Sequence, residues 1–176
     1  DNPIEGLSLE QLSGIFASSQ RMGGRDVDTW GELGLRGDWR NRSISLYGRN
    51  SASGTYGFFK EVALQNANFR DSVKEQPGSS AVVQGVATDL YGIGYSGVGY
   101  ITSGVRALPI SLYGDDYQAP TMENCVTGDY PLGRFLVVYV NRPPNQELDP
   151  LTKEFLKFVL SYEGQQVIKR DGYYPL

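Results

Sequence analysis

The sequence contains no histidine in its 176 residues. This absence excludes Ser-His-Asp and Cys-His catalysis, and it removes the imidazole general bases and the commonest zinc ligand. The single cysteine, Cys125, excludes an internal disulfide and any multi-cysteine metal site. Without a histidine to activate it, Cys125 fits a small buried or half-buried residue better than a nucleophile. We therefore expect no catalytic residue, no metal and no cofactor.

Long apolar runs and excess positive charge are also missing. No run approaches the roughly 20 residues of a membrane span, and the amino terminus has neither the basic region nor the apolar core of a signal peptide. The net charge of −4 argues against a nucleic-acid surface, which needs a basic face. It leaves room for a small anion, because local N–H dipoles and one arginine can hold an anion inside an acidic protein.

Strand-like segments alternate with helical patterns along the chain. Four segments have strand character: residues 42–47, 90–95, 105–112 and 135–140. The last is a continuous apolar run, which is typical of a strand buried on both faces. The alternation predicts an α/β fold with a mixed or parallel sheet flanked by helices.

Three helix starts are marked by capping residues. Ser8 and Gln11 fit a capping box, Ser79 or Ser80 can cap a short helix, and Asp149 precedes a proline at the first helical position. The first helix is expected to turn its apolar residues inward, namely Leu9, Leu12, Ile15 and Phe16. The helix after Asp149 has an apolar stripe that predicts one buried face, formed by Leu151, Phe155, Phe158 and Val159.

A polar, glycine-containing junction at residues 47–55 joins the first of these strands to a helix. The start of a helix offers unpaired N–H groups and a positive dipole end. Gly54 lets a ligand approach the backbone, Ser53 and Thr55 add hydroxyl donors, and Arg49 adds a cation. Every group offered is a donor, which suits an oxyanion. These residues by themselves leave two interpretations open, an ordinary capped helix and an anion site.

The pattern G-x-G-x-x-G occurs at residues 92–97. Its glycines lie within and just after a strand-like segment, and no helical pattern follows them. A dinucleotide site needs that helix, so a glycine-rich strand end is the better interpretation.

Several segments together resemble the periplasmic phosphate-binding proteins of ABC phosphate importers. Residues 48–55 look like that family's arginine-to-Ser-Gly-Thr phosphate loop, and residues 92–96 are similar to its Ile-Gly-Tyr strand. Three further segments resemble the start of the family's second lobe and its closing segments: residues 2–16, 130–136 and 155–165. The resemblance covers nearly the whole chain in the family's order.

The resemblance implies one lobe of a type II periplasmic-binding-protein fold. Residues 1–176 would form a single phosphate-binding-protein-like domain, with about 1–140 as the second lobe and about 141–176 as a segment that returns toward a first lobe. The chain begins where the second lobe should begin, so a first lobe or another chain is expected to complete the cleft.

The resemblance also assigns the ligand and the residues that hold it. Arg49 would be the guanidinium ligand of inorganic phosphate, and Ser53, Gly54 and Thr55 would supply hydroxyl and N–H donors. Ser51 belongs to the same loop, at a place where several family members carry an aspartate. The implied protein is an exported, periplasmic or extracellular solute-binding component that docks to an ABC permease.

Two other functions stay open. A phosphoester hydrolase of the same fold would need an activated nucleophile, for which the sequence offers no histidine and no carboxylate cluster. An adhesion or matrix module would keep the binding fold without transport.

Overall fold

The computed structural model describes residues 2–176. They form two compact units, the first ending at Arg134 and the second running from Phe135 to Leu176. The strands are β1 (Leu7–Ser8), β2 (Ser45–Arg49), β3 (Lys74–Gln76), β4 (Gly92–Gly94) and β5 (Ile110–Ser111). The helices are α1 (Leu9–Phe16), α2 (Gly54–Val62), α3 (Ser79–Ala87), α4 (Met122–Thr127), α5 (Pro150–Val159) and α6 (Tyr162–Arg170). Short 3-10 helices span Trp30–Leu33, Gly37–Trp39 and Val98–Tyr100.

Both sheets of the first unit are parallel. One has three strands in the order β3-β2-β4, with Tyr47 beside Lys74 and Leu46 beside Ile93. The other pairs β1 with β5. Helices α2 and α3 follow β2 and β3 directly, as parallel connections require. The predicted α/β class with a parallel sheet is confirmed, and the carboxyl ends of β2, β3 and β4 meet at one edge.

The core of the first unit includes an aromatic cluster to which three parts of the chain contribute. The ring of Phe59, from α2, stacks on Tyr95 with centroids 4.1 Å apart. Phe16, at the end of α1, meets both rings edge-on, at 5.2 Å and 5.8 Å. The four apolar residues expected to face inward on α1 are all buried, so this amphipathic helix lies as its sequence predicts.

The segment between α1 and β2 packs at the amino ends of the strands. Trp30 is buried, its backbone N–H donates to the Arg42 carbonyl at 2.9 Å, and its indole N–H donates to the Tyr91 carbonyl at 3.2 Å. Trp39 packs edge-on against the Tyr91 ring at 5.3 Å. This segment therefore covers the edge of the sheet opposite the carboxyl ends.

Two of the predicted caps are confirmed by their hydrogen bonds. The Gln11 N–H donates to the Ser8 hydroxyl at 3.1 Å, and the Ser8 N–H donates to the Gln11 side chain at 2.8 Å, which completes the capping box. The Thr152 N–H donates to the Asp149 carboxylate at 3.0 Å, with Pro150 as the first helical residue. Local signals of this kind need no distant partner.

The predicted cap of α3 is wrong. Gly78 is the N-cap, and Ser79 is already the first helical residue. The Ser79 hydroxyl does not cap the helix because Ser79 lies one residue past the N-cap position. It accepts a hydrogen bond from Arg49 at 2.7 Å instead. Its role is set by a residue on a neighbouring strand.

The strand expected at residues 105–112 is reduced to Ile110–Ser111. Pro109, directly before it, has no N–H to donate, so it cannot extend the ladder as a donor. Its carbonyl accepts a hydrogen bond from the Leu7 N–H at 3.1 Å. The remainder of the predicted strand is irregular, with a bend at Leu112.

The second unit contains α5 and α6. Two predictions made for this unit are wrong. Residues 135–140 do not form a strand, and their side chains are 43–90% exposed. A strand buried on both faces needs neighbouring strands and two covering layers, and no described strand pairs with this run. The stripe on α5 is not a buried face either, because Leu151, Phe155 and Phe158 are exposed and Val159 is only half-buried.

Candidate anion-binding site

The junction between β2 and α2 is a tight turn that ends in a capped helix. The Ser53 N–H donates to the Asn50 carbonyl at 3.0 Å. Ser53 is the N-cap of α2, and its hydroxyl oxygen accepts from the Thr55 N–H at 3.1 Å. The first helical hydrogen bond runs from Gly57 to the Ser53 carbonyl at 3.3 Å. The predicted helix start is therefore present at the carboxyl end of a parallel strand.

Several donors at this helix start stay available to a ligand. The Ser53 hydroxyl uses a lone pair for the cap and keeps its hydrogen. The Gly54 N–H and the Thr55 hydroxyl donate to no described residue. A Cβ built on Gly54 would meet a single neighbour within 4 Å, the Arg134 guanidinium at 3.8 Å. The space in front of these donors is therefore open, and the helix dipole makes it positive.

The Arg49 side chain points to the start of α3. Its Nη1 donates to the Ser79 hydroxyl at 2.7 Å, and its Nη2 lies 3.5 Å from the Pro77 carbonyl. Its Nε is buried and has no hydrogen-bond partner among the described residues. No described carboxylate forms an ion pair with it. Arg49 is thus held by neutral acceptors and keeps its charge uncompensated.

The five residues predicted to bind the anion differ in where the structure places them. It brings Ser53, Gly54 and Thr55 together at the start of α2. Arg49 lies at the same sheet edge, where its side-chain hydrogen bonds go to the neighbouring helix start. Ser51 is exposed in the turn and makes no side-chain hydrogen bond within residues 2–176.

Tyr95, just after β4, contacts the backbone at the beginning of the junction between β2 and α2. Its hydroxyl donates to the Arg49 carbonyl at 3.3 Å, while its ring lies in the aromatic cluster. Burial raises the pKa of Tyr95 well above its usual value, so the phenol is neutral at physiological pH. A neutral phenol can serve as the donor to this carbonyl.

Two residues near the junction were not assigned to it from the sequence. Ser79 was expected as a cap and instead holds Arg49. Arg134 donates through Nη1 to the Gly54 carbonyl at 3.2 Å, and its guanidinium lies 4.8 Å from the centroid of the Phe58 ring. No local pattern could have linked residue 134 to residue 54, because this contact exists only in the folded chain.

Other kinds of site are not found in the part of the chain that the structure describes. No helix within residues 2–176 is both long and apolar enough to cross a membrane. No group of three or more histidine, cysteine, aspartate or glutamate side chains in that range could hold a metal ion. Cys125 is half-buried, and burial raises the pKa of its thiol, which does not favour the reactive thiolate.

A protein-family model shows to which family this chain is related. The family model described as the PBP superfamily domain matches residues 1–163. The chain belongs to the PBP superfamily. The family resemblance seen in the sequence is thereby confirmed.

Curated relatives within the PBP superfamily include bacterial phosphate-binding proteins. The phosphate-binding protein PstS of Pseudomonas aeruginosa is 52% identical over 178 residues, which cover 100% of this chain and 55% of the relative. The protein SphX of Synechococcus elongatus is 26% identical over 183 residues, which cover 99% of this chain and 51% of the relative. The chain spans about half the length of the curated relatives it matches.

Solved structures of PBP superfamily members share the fold. An ABC-type phosphate transport receptor from Vibrio cholerae aligns with a TM-score of 0.73 at 20% identity, over 99% of this chain and 66% of that one. A putative phosphate ABC transporter substrate-binding protein from Clostridium perfringens, solved with bound phosphate, aligns with a TM-score of 0.70 at 23% identity, over 100% and 65%. These alignments confirm the predicted α/β fold of a type II periplasmic-binding protein.

Proposed function

We propose that this chain binds inorganic phosphate as part of the solute-binding component of an ABC phosphate importer. The observation that carries the proposal is the open, donor-lined start of α2 at the carboxyl edge of a parallel sheet. In open α/β sheets, ligands bind at that edge. The relationship to proteins named as phosphate-binding proteins and phosphate transport receptors supports phosphate as the anion.

In this proposal the anion is held by donors alone. The Gly54 N–H and the hydroxyls of Ser53 and Thr55 contact its oxygens, the helix dipole adds positive potential, and Arg49 provides a guanidinium. Its buried, unpaired Nε supports this role, since such a donor calls for an acceptor that the described residues do not provide. Ser51 lies at the rim of the turn, where its hydroxyl can meet the anion.

The junction has no carboxylate to act as a strong acceptor, which limits its selectivity. At neutral pH phosphate carries an O–H that needs an acceptor, whereas sulfate carries none. Residues 50–55 include no carboxylate, so we expect this chain by itself to distinguish the two anions poorly. Water also reaches the open site and keeps the effective dielectric high, so we expect weak binding.

We further propose that a first lobe or another chain completes the cleft. The exposed apolar run at residues 135–140 supports this, because contiguous apolar surface of this kind marks an interaction site. Val138→Asp would place a charge in the run, and we expect it to reduce the fluorescence of a hydrophobic dye bound to the chain. Equal dye binding by both proteins would contradict an exposed apolar docking surface.

We propose that the chain is not an enzyme and works outside the cytoplasm, in the periplasm or extracellularly, where two lobes close on phosphate and dock to a membrane permease. The donors at α2 can hold an anion, but the sequence has no histidine to activate a nucleophile, and residues 2–176 contain no group of three or more acidic side chains that could do so through a metal ion. Turnover of an aryl phosphate that is lost in Ser53→Ala would contradict this proposal. Genes for a permease and an ATPase beside its own gene would favour transport over an adhesion module.

The proposal is tested by titrating the isotope-labelled chain with phosphate and with sulfate and following backbone amide signals by NMR. We expect saturable shifts centred on Gly54 and Thr55, with similar dissociation constants for both anions. Chloride at matched ionic strength is the control for non-specific effects. Ser53→Ala should weaken binding, whereas Ser80→Ala, an exposed serine on α3, should leave it unchanged.

Three results would count against the proposal. Shifts that do not centre on Gly54 and Thr55 would show that the site is wrong. Equal shifts with chloride would show that no oxyanion site exists. Tight, phosphate-selective binding by this chain would overturn the view that it forms half of a cleft.

A further inference from the structure

We infer that Arg134 is a second guanidinium of the phosphate site, positioned to attract the anion and to contact it. This inference rests on the proposed function and extends it to a residue outside the strand-to-helix junction. Arg134 lies 80 residues after Gly54 in the sequence and contacts it in the fold.

Two contacts fix the Arg134 guanidinium against the first turns of α2. Its Nη1 donates to the Gly54 carbonyl at 3.2 Å, and its Cζ lies 4.8 Å from the centroid of the Phe58 ring. A cation over an aromatic face is held by the ring's electrostatic field. The arginine is therefore placed beside the helix start although its side chain is on the surface.

The second terminal nitrogen of Arg134 lies beside the open space of the site. Nη2 is 3.8 Å from the point that a Cβ on Gly54 would occupy, and apart from Ser53, Thr55 and the backbone of α2 itself no other heavy atom lies within 4 Å of that point. No described residue accepts a hydrogen bond from Nη2. This leaves an unused donor beside Gly54, at the margin of the space that we assign to phosphate.

The helix dipole does not favour a cation at the place where Arg134 lies. The start of a helix is its positive end, and cations are stabilising at the opposite end. None of the ion pairs found among the described residues includes Arg134. Two positive sources thus face the same open space without compensation, and a bound oxyanion would satisfy both.

This placement also suits the approach of the anion. The chain has a net charge of −4 and repels anions at a distance. A cation at the rim of a site offsets this repulsion locally and raises the rate of anion arrival. The planar guanidinium can then donate to phosphate oxygens in a fixed geometry.

The test compares three variants with the unmodified chain in NMR titrations with inorganic phosphate, at low and at high sodium chloride. We expect Arg134→Gln to raise the dissociation constant for phosphate about fivefold. We also expect it to reduce the salt dependence of this constant, as removal of a charge at the edge of a binding site does. Arg134→Lys should keep the salt dependence and recover part of the affinity. Arg36→Gln makes the same charge change near the amino ends of the strands and should alter neither.

The possible outcomes distinguish a failure of this inference from a failure of the proposed function. If the unmodified chain does not bind phosphate at Gly54 and Thr55, both fail. If it binds, and Arg134→Gln binds equally well with the same salt dependence, only the role of Arg134 is wrong. A loss in Arg134→Gln with unchanged salt dependence and no recovery in Arg134→Lys would also contradict the inference, because it would mean that Arg134 acts solely through the Gly54 carbonyl.

Discussion

Arg49, the last residue of β2, donates to the hydroxyl of Ser79, the first residue of α3, across 2.7 Å. This hydrogen bond joins two neighbouring strand-to-helix junctions at one edge of the sheet. It also fixes the orientation of the Arg49 guanidinium, which forms no ion pair with any described carboxylate. Ser79 is therefore a positioning residue for the proposed site.

Replacing Ser79 by alanine should loosen Arg49. We expect Ser79→Ala to weaken phosphate binding about fivefold and to lower the free energy of unfolding by about 1–2 kcal/mol, since a hydrogen bond to a charged group is lost. Phosphate titration and urea unfolding measure the two effects. Ser80→Ala, one residue along and exposed, is the matched control; an equal loss of binding there would show that the effect is not specific to the Arg49 contact.

A methyl group on Gly54 should separate binding from stability. The added Cβ would point into the open space beside Arg134, where it hinders approach of an anion to the backbone. We expect Gly54→Ala to weaken phosphate binding at least about threefold while changing the unfolding free energy by less than about 0.5 kcal/mol. Unchanged phosphate affinity in Gly54→Ala would contradict the assignment of this space to the anion.

Gly57→Ala is the control for the Gly54 variant. Gly57 lies one turn further along α2, and a Cβ there meets nothing within 4 Å. Alanine favours a helix interior over glycine by about 0.8–1.0 kcal/mol, so this variant should be more stable and should bind phosphate normally.

Tyr95 should make stability depend on alkaline pH. Its pKa is raised by burial, whereas an unfolded tyrosine titrates near 10. Because the folded state holds the proton more tightly, the contribution is complete below about pH 10 and is lost as pH rises toward the folded pKa. We expect the unfolding free energy, from urea unfolding at a series of alkaline pH values, to fall less steeply with pH in Tyr95→Phe. Tyr113→Phe changes a tyrosine that is 79% exposed and should leave the slope as it is; the same slope in all three proteins would refute the prediction.

Arg70 should be among the most important charged residues for stability. Its side chain is 16% exposed, forms ion pairs with Asp26 and Asp28, and donates to the carbonyls of Gly14 and Ala17. Removing it takes one donor away from each of two carbonyls and two carboxylates, so Arg70→Gln should lower the free energy of unfolding by about 2–4 kcal/mol. Lys153→Gln breaks the exposed ion pair with Glu147 and should lower it by less than about 1 kcal/mol. Similar losses in both variants, measured by urea unfolding, would be inconsistent with this ranking.

The sequence predicted best those features that depend on neighbouring residues alone. The capping box at Ser8, the cap at Asp149 and the inward face of α1 each need only a few residues in a row. The roles of Ser79 and Arg134 depend on partners 30 and 80 residues away, and no periodic pattern encodes such contacts.

The prediction of a strand at residues 135–140 was wrong for a related reason. Composition measures how much a segment gains by leaving water, but a partner surface decides whether it does so. The prediction of a buried strand assumed that the partner lies within this chain. The side chains of Phe135 to Val140 are exposed instead.

The pairing of β1 with β5 constrains how the first unit folds. Leu7 is in register with Ile110, so β1 pairs with a strand that the ribosome makes much later. Closing so long a loop has an entropic cost, and contacts between residues far apart in sequence slow folding. The central sheet of β2, β3 and β4 contains much shorter loops and can assemble before this closure. During synthesis, the backbone of β1 would therefore lack its partner strand until Ile110 and Ser111 have been added.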